Sequence, residues 1–397
     1  MASELISESL TQMFNTSLRT GEVPTDWLLS KITPVYKGKG DKSVKLNYRP
    51  IAVVCHIAKI IEKVVNSQFL SYLLNHNFIT IDQHAFLLNH STNTCIHQVA
   101  DDWLEAFNEH EMVAACFLDI SKCFDCIDHE FLLFKLTKYG VSDNELKWFT
   151  NYLSGRKQVV SCNGVLSDKR EMKIGVPQGS TLGPTLFLVF INDIITSLKS
   201  ARCCIFADDV VLYVSHKNLD LATVTLQNSL NELYKWYKNN RLKINVDKTK
   251  VMLLKSSSSD KLNIFIENHQ IEQVKSIRYL GVEVDENLSW KQHIDKLCKS
   301  LSFKIHFLGL LRKYLDARLL NILYKTIIQS CTDYCCSVWG NCCISYKSGL
   351  VRLQKRAARF VTGNFDFLTT HGLDLMKELS WQSLEQRRDY FFGHLDV

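Results

Sequence analysis

Carboxylates stand directly against apolar segments of strand length at two places in this 397-residue chain. The segment 112–120 (MVAACFLDI) is apolar and carries Asp119 near its end, and Asp208–Asp209 separates the apolar segments 203–207 and 210–214. Each segment has the length and composition of a buried β-strand. A charge in such a place costs free energy unless it is compensated, and adjacent anions in a tight turn repel each other. The charge at each of these two places therefore needs compensation, and spacing along the chain does not show whether the two places meet in space.

A divalent cation would remove that electrostatic cost. Mg²⁺ prefers oxygen ligands, keeps several waters and binds one or two carboxylates together with substrate phosphates. Paired ions can stabilise the attacking and leaving oxygens of a phosphoryl displacement. A solvated turn is the simpler interpretation of an Asp-Asp pair, and Asp119 alone could begin a helix after its strand. Spacing along the chain does not decide between these alternatives.

Composition places few limits on the function. Apolar residues make up 46% and charged residues 22%, so the chain can fold around a core of its own. A net charge of +6 is compatible with a polyanionic partner without requiring one. No segment has the length of a membrane span, and the first residues lack the pattern of a secretory signal. We therefore expect a protein of the nucleus or cytoplasm that is not secreted, has no membrane partner and keeps its cysteines reduced.

Hydrophobic periodicity separates an α+β part from a helical part. Helical spacing predicts helices over 51–74 and 180–198, and an apolar run predicts a strand over 277–284. From Trp290 onward the strand pattern disappears, which indicates a boundary near residue 288. The helical part should present a basic surface, formed by Lys296, Lys299, Lys304, Arg312, Lys313, Arg318, Lys325, Arg352, Lys355, Arg356 and Arg359.

Local signals mark the ends of several elements. Asp128 can cap a helix that runs to Tyr139, and Gly140 would end that helix. Asn163–Gly164 is typical of a tight hairpin turn. Four serines at 256–259 predict an exposed connection.

Seven short motifs follow one another along the chain. They are NYRPI (47–51), FLDISKCFD (117–125), GVPQGS (175–180), FADD (206–209), NVDKTK (245–250), YLGV (279–282) and a C-terminal pattern with Tyr334, VWG (338–340) and LQKR (353–356). In this order they resemble the reverse transcriptases of non-LTR retrotransposons of the jockey or LINE type. The resemblance extends over nearly the whole chain, and the pattern around Trp339 favours this family over intron maturases or telomerase-type polymerases.

The resemblance implies an α+β right-hand polymerase fold, in which fingers, a palm with an antiparallel sheet and a helical thumb follow in order. It assigns residues 1–30 to an N-terminal helical linker remnant, 31–287 to fingers and palm, and 288–397 to the thumb and C-terminal region. An endonuclease usually precedes this polymerase in the family. We therefore expect a copy truncated to the polymerase core.

The implied activity is RNA-directed DNA polymerisation. Such an enzyme adds dNTPs to the 3′-hydroxyl of a DNA primer on an RNA template and uses two Mg²⁺ ions, or Mn²⁺ instead. By resemblance, Asp119 and Asp208 are metal ligands, joined by the backbone carbonyl of Ile120. Asp209 is the second member of the catalytic pair, with a smaller part in direct ligation.

Other motif positions imply contacts with the nucleotide. Lys37 and Arg49 would hold the triphosphate, for which the guanidinium fork is well suited. Phe124 falls at the family's sugar gate, where a bulky ring excludes a 2′-hydroxyl. Gln178 would lie near nucleotide and template, and Gly179 allows a close backbone approach. Taken singly, these residues also fit a solvated basic loop, a core aromatic and an ordinary turn.

Two further motifs imply contacts with pyrophosphate and primer. Lys248 would act as a general acid towards pyrophosphate or would neutralise charge, although a plain surface lysine fits equally well. Tyr279, Leu280 and Gly281 resemble the strand that supports the primer end.

Two features depart from expectation for this family. The segment 83–87 reads QHAFL where the family usually has Gln-x-Gly-Phe-Arg, and Cys123 replaces an alanine. The altered fingers motif leaves open an alternative function, a catalytically inactive nucleic-acid-binding remnant.

A cluster of cysteines lies near the C-terminus and comprises Cys331, Cys335, Cys336, Cys342 and Cys343. It lacks the spacing of zinc ribbons and fingers, so no zinc is expected.

Overall fold

The computed structural model describes residues 2–255 and 260–393, with side chains from residue 6 onward. The connection predicted at 256–259 lies outside these residues. The chain divides into two compact units. The first comprises 1–86, 118–210 and 228–249, and the second comprises 87–117, 211–227 and 250–397. The functional boundaries expected near residues 30 and 287 stay predictions.

The described residues contain both helices and strands. The α-helices are α1 (Ala2–Thr20), α2 (His56–Asn75), α3 (Thr92–Asn108), α4 (His129–Lys138), α5 (Asp143–Leu153), α6 (Gly183–Ile191), α7 (Leu219–Asn239), α8 (Lys291–Leu311), α9 (Ala317–Leu323), α10 (Ser330–Asp333), α11 (Cys336–Trp339), α12 (Ile344–Thr362), α13 (Gly372–Glu378) and α14 (Leu384–Phe392). Short 3-10 helices occupy Thr25–Leu28, Lys45–Asn47, Cys123–Cys126 and Asn192–Ser197, and a π-helix joins α9 to α10 over Tyr324–Gln329.

The strands fall into larger sheets and small hairpins. They are β1 (Leu29–Tyr36), β2 (Tyr48–Val53), β3 (Met112–Asp119), β4 (Lys157–Cys162), β5 (Val165–Leu166), β6 (Arg170–Glu171), β7 (Arg202–Phe206), β8 (Asp209–His216), β9 (Lys250–Leu254), β10 (Phe265–Ile266), β11 (His269–Gln270), β12 (Glu272–Gln273), β13 (Ser276–Tyr279) and β14 (Val282–Asp285). The α+β class predicted from the sequence is confirmed.

One sheet lies in the first unit and has the order β2-β1-β4-β5, with β6 also paired to β4. β1 runs antiparallel to β2, with Ile32 opposite Ala52, and parallel to β4. The hairpin from β4 to β5 turns at Asn163–Gly164, where both residues have positive φ. This is the turn that the Asn-Gly pair predicts.

The second large sheet has the order β12-β9-β3-β8-β7. Its strand β3 is buried from Val113 to Leu118 and emerges at Asp119, as the apolar run predicts. β3 pairs antiparallel with β9, and Phe117 lies opposite Lys250. An apolar strand in the interior thus delivers one carboxylate to the surface.

Three predicted elements have different bounds. Residues 51–53 belong to β2, and the helix begins only at His56, because the backbone of Ile51 is used in the ladder with β1. The helix expected over 180–198 ends at Ile191 and continues as a 3-10 helix to Ser197. The strand expected over 277–284 is a hairpin, β13–β14, that turns at Leu280–Gly281 with positive φ at both residues.

Other local predictions are confirmed. The Asp128 carboxylate accepts hydrogen bonds from the amides of Glu130 and Phe131 and so caps α4, and Gly140 follows with φ +84°. The C-terminal part is helical from Lys291 onward. None of the helices in the described part of the chain combines the length and apolar character needed to cross a bilayer.

The basic surface expected in the helical part is smaller than predicted. Arg359 is only 8% exposed and donates to the carbonyls of Asn364, Asp366 and Thr370. Arg312 donates to the Phe360 carbonyl at the end of α12. These guanidiniums hold the helical fold together and are not free to bind a polyanion.

Candidate active site

Asp119 is fixed by a short antiparallel bridge at the end of β3. Ile120 lies opposite Ile244, the Asn245 amide donates to the Asp119 carbonyl at 2.8 Å, and the Ser121 amide donates to the Lys243 carbonyl at 2.9 Å. These bonds use the backbone on either side of Ile120. They do not use the Ile120 carbonyl, the group implied as a metal ligand.

The turn that begins at Asn245 places an ammonium group on Asp119. The amides of Lys248 and Thr249 and the Thr249 hydroxyl all donate to the Asn245 carbonyl, at 3.2, 3.0 and 2.9 Å. Thr249 is fully buried, which anchors the turn. Lys248 Nζ then donates to Asp119 Oδ2 at 3.2 Å. The structure thus brings together two residues that the sequence places in separate motifs.

Asp208 and Asp209 lie at the hairpin between β7 and β8. Ala207 adopts φ +54°, a left-handed conformation that is uncommon for a residue with a Cβ. Both aspartates keep an exposed surface. Partial desolvation by the surrounding protein nevertheless raises the pKa of Asp208, and nearby Asp119 raises it further. The pKa of Asp209 is raised to about 6, first by desolvation and then by the charges of Asp208 and Asp119.

The three carboxylates therefore form one electrostatic cluster, all within the first unit. Lys248 lowers the pKa values of Asp208 and Asp209, and Arg49 also lowers that of Asp208. These two cations compensate part of the repulsion. Clustered carboxylate oxygens with raised pKa values have the chemistry that a hard divalent cation stabilises.

The cluster is not a complete metal cage of side chains. Within 2–255 and 260–393 there is no group of three or more His, Cys, Asp or Glu side chains placed to hold a metal ion. Cys335, Cys336 and Cys342 are buried free thiols, and Cys331 is half-buried. Any metal bound at the aspartates needs further ligands from backbone, water or substrate.

Phe124 lies in the 3-10 helix that follows Asp119 along the chain. Its ring stacks on Phe187 with centroids 4.6 Å apart, and Phe86 meets it edge-on at 6.3 Å. Phe187 is fully buried and Phe124 is half-buried. One face of Phe124 therefore belongs to the core, and the remaining surface is accessible.

Gln178 and Gly179 form a turn against β2. The Ala52 amide donates to the Gln178 carbonyl at 2.7 Å. Gly179 adopts φ +131°, and a Cβ there would collide with the Ala52 carbonyl, so this position requires glycine. Gln178 Nε2 donates to Asp125 Oδ1 at 2.9 Å. Asp125 was not among the predicted site residues, although it lies in the same motif as Asp119.

The two residues predicted to bind triphosphate differ in their surroundings. Arg49 is exposed on β2, close enough to lower the pKa of Asp208. Lys37 is exposed as well, but its ammonium donates to the Leu46 carbonyl at 2.8 Å within its own loop. Of these two residues, Arg49 is the one whose charge acts on the carboxylate cluster.

The predicted primer-positioning residues belong to the second unit. The Tyr279 hydroxyl lies 3.3 Å from Cys95 Sγ, and Tyr334 donates to the Leu280 carbonyl at 2.5 Å. A Cβ at Gly281 would lie 3.1 Å from the Tyr334 ring. Tyr334 thus covers this turn.

The first three residues of the altered fingers motif are buried. Ala85 is fully buried, its amide donates to Gln83 Oε1 at 2.8 Å, and its φ is not positive. The missing glycine therefore costs no backbone strain. Phe86 has φ +59° and supplies the ring beside Phe124. Leu87 still lacks the charge of the arginine usual in the family.

Comparison with known proteins gives one consistent result. The profile of a family described as reverse transcriptase (RNA-dependent DNA polymerase) matches residues 37–284. The chain is 27% identical over 362 residues to a probable RNA-directed DNA polymerase from transposon X-element of Drosophila melanogaster, which covers 89% of this chain and 40% of that protein. It is 28% identical over 376 residues to the RNA-directed DNA polymerase from mobile element jockey of Drosophila funebris, covering 92% and 41%.

The chain spans about two fifths of the length of these curated relatives. Among solved structures, a telomerase from Candida albicans, in complex with a fragment of telomeric RNA, is similar with a TM-score of 0.46 and 14% identity, over 96% of this chain and 67% of that one.

Proposed function

Because the chain belongs to the reverse transcriptase family, we propose that it is an RNA-directed DNA polymerase. It copies an RNA template by adding dNTPs to the 3′-hydroxyl of a DNA primer, in the copying of a retrotransposon in the nucleus or cytoplasm. Membership of the family confirms the resemblance to jockey-like elements and the right-hand polymerase fold class.

The observation that carries the proposal is the cluster of Asp119, Asp208 and Asp209 with Lys248. Asp119 comes from one motif and Asp208 and Asp209 from another, and the charge of Asp119 helps to raise the pKa values of Asp208 and Asp209, which two cations only partly compensate. A purely structural turn has no need of this arrangement. Transfer of a phosphoryl group, whose charge must be neutralised in the transition state, does need it.

Members of this family use divalent metal ions. Asp119 and Asp208 would hold two Mg²⁺ ions, or Mn²⁺ in their place, together with the Ile120 carbonyl, and Asp209 would support them. When bound, such ions activate the primer hydroxyl and neutralise charge on the departing pyrophosphate. The donor set fits, because all these ligands are oxygens and water or phosphate can complete the coordination.

The other predicted site residues of the first unit bind and orient the nucleotide. Arg49 offers a guanidinium to the triphosphate, and Lys37 can turn its ammonium from the Leu46 carbonyl towards phosphate. Phe124 excludes a 2′-hydroxyl with the accessible part of its ring. Lys248 neutralises the carboxylates before substrate arrives and then has phosphate oxygens as alternative partners.

The second unit contributes the primer and duplex contacts. Tyr279, Leu280 and Gly281 support the primer end through a turn that Tyr334 holds in place.

Residues 288–397 form the thumb, residues 31–287 the fingers and palm, and residues 1–30 a linker. The thumb binds the backbone of the template–primer duplex with the basic side chains that the fold leaves exposed.

The altered fingers motif supports a second candidate, a catalytically inactive nucleic-acid-binding remnant. Its specific basis is Leu87, an uncharged side chain where the family usually has arginine. Primer extension on an RNA template with Mg²⁺ and dNTPs separates the two functions. The polymerase should extend the primer, and Leu87→Arg should increase the rate. If neither protein extends a primer that both bind, the chain is the inactive remnant.

A further inference from the structure

Two segments of the proposed nucleotide site are joined along their backbones. The Gly175 amide donates to the Ile127 carbonyl at 2.7 Å, and the Val176 amide donates to the Phe124 carbonyl at 2.9 Å. A Cβ at Gly175, where φ is +84°, would lie 2.8 Å from the Asp125 carbonyl oxygen. The backbone of the turn before Gln178 therefore has one position relative to the segment that carries Phe124.

The Gln178 side chain receives a separate constraint. Its backbone is held by the Ala52 amide, which leaves the side-chain torsions free. Gln178 Nε2 donates to Asp125 Oδ1 at 2.9 Å. This bond fixes the amide plane and removes rotamer freedom that would otherwise be lost on binding substrate.

The carboxylate also decides which end of the amide faces inward. An ionised carboxylate only accepts hydrogen bonds, whereas an amide has a donor end and an acceptor end. Asp125 therefore selects the orientation with Nε2 towards the protein, which leaves Oε1 to accept a hydrogen bond from a ligand. Burial raises the pKa of Asp125, and the bond from Gln178 and the charge of Lys122 oppose this rise.

We propose that Asp125 is a positioning residue that presents the acceptor end of Gln178 to the nucleotide–template pair. This inference rests on the proposed polymerase function. Asp125 itself touches neither substrate nor metal. It acts through Gln178, so its effect should disappear when Gln178 lacks an amide.

The substitution that tests this role most specifically is Asp125→Asn. Asparagine has the size of aspartate but offers both a donor and an acceptor, so the Gln178 amide can bind it in either orientation. Asp125→Asn should raise the KM for dNTPs about fivefold and change kcat less than about twofold, because the bond survives but its direction is lost. In the Gln178→Ala background the same change should have no effect on KM. Asp26→Asn, which removes an exposed charge elsewhere in the first unit, is the matched control.

Equal effects of Asp125→Asn in both backgrounds would overturn the proposal, since a merely structural residue acts whether or not Gln178 is present. An unchanged KM in the wild-type background would overturn it as well.

A second measurement does not depend on activity. Unfolding of the wild type, Asp125→Ala, Gln178→Ala and the double variant should show a coupling of about tenfold in the unfolding equilibrium constant. Additive effects would contradict the bond. If the wild type extends no primer, the polymerase function fails, and this cycle still decides whether the two side chains are coupled.

Discussion

Asp208–Asp209 and Asp285 are aspartates beside β-hairpins in the two units, and they differ in what surrounds them. Asp285 is 6% exposed and accepts hydrogen bonds from the amides of Asn287, Ser289 and Trp290 and from the Ser289 hydroxyl. Its charge is satisfied by the segment that joins β14 to α8. Asp208 and Asp209 have raised pKa values because desolvation and neighbouring anions outweigh the nearby cations. A satisfied aspartate stabilises a fold, and an uncompensated one is available for chemistry.

The largest expected effect is the loss of primer extension when Asp208, an uncompensated aspartate, is replaced. Asp208→Asn should lower the rate of primer extension about 10³-fold, or about 4 kcal/mol in the transition state, because the amide is a poor metal ligand. It should not destabilise the fold, since it removes one of the repelling charges. Single-turnover extension and chemical unfolding measure the two properties. Unchanged extension would show that the active site lies elsewhere.

Asp285→Ala should instead lower the stability of the fold. It leaves several amides of the β14–α8 junction without an acceptor and should cost about 3 kcal/mol of the free energy of unfolding. Denaturant unfolding measures this cost, and Asp220→Ala at the exposed start of α7 is the control. A loss no larger than that of the control would mean that the two kinds of aspartate do not differ.

Phe124 combines a structural and a functional side, since one face of its ring packs on Phe187 and the rest is accessible. Phe124→Ala should increase the incorporation of rNTPs relative to dNTPs by about tenfold or more, because the ring no longer excludes the 2′-hydroxyl. Competition between matched rNTP and dNTP measures this ratio. Phe187→Leu, which alters only the core side of the stack, should leave the ratio nearly unchanged. Unaltered discrimination in Phe124→Ala would assign the ring to the core alone.

The smallest effect concerns His293, a half-buried group of the second unit. Desolvation lowers its pKa from 6.5 to about 4, aided by Arg278 and Lys296 and opposed by Glu283. Its Nδ1 accepts from the Glu283 amide at 3.3 Å, which requires the neutral ring. Between pH 4 and 6.5 the unfolded chain binds this proton more readily, so stability is full above pH 6.5 and falls towards pH 4. The wild type should lose more stability over this range than His293→Gln; parallel curves would refute the assignment.

The sequence predicted the elements whose chemistry is local. The strand that ends at Asp119, the cap at Asp128 and the turn at Asn163–Gly164 follow from apolar runs, capping and turn residues alone. The helix over 51–74 was wrong at its start because short apolar runs fit strand and helix equally well, and pairing with β1 decided the matter.

Contacts between distant residues were beyond the sequence. The bond from Lys248 to Asp119 and that from Gln178 to Asp125 join separate motifs, so neither spacing nor periodicity shows them. The same limit explains why Arg359 was predicted as a surface cation, since the carbonyls that accept its hydrogen bonds are known only from the structure. The family resemblance supplied the ordered motifs, and the structure supplied the charges that act on one another.

The most direct test of the contrast between the two kinds of aspartate is the effect of Mg²⁺ on unfolding. Thermal unfolding of the wild type, Asp208→Asn and Asp285→Asn would be compared with and without millimolar Mg²⁺. We predict that Mg²⁺ raises the Tm of the wild type and of Asp285→Asn but not that of Asp208→Asn, because binding to the folded site adds stability. Equal stabilisation of all three proteins, or of none, would contradict the account.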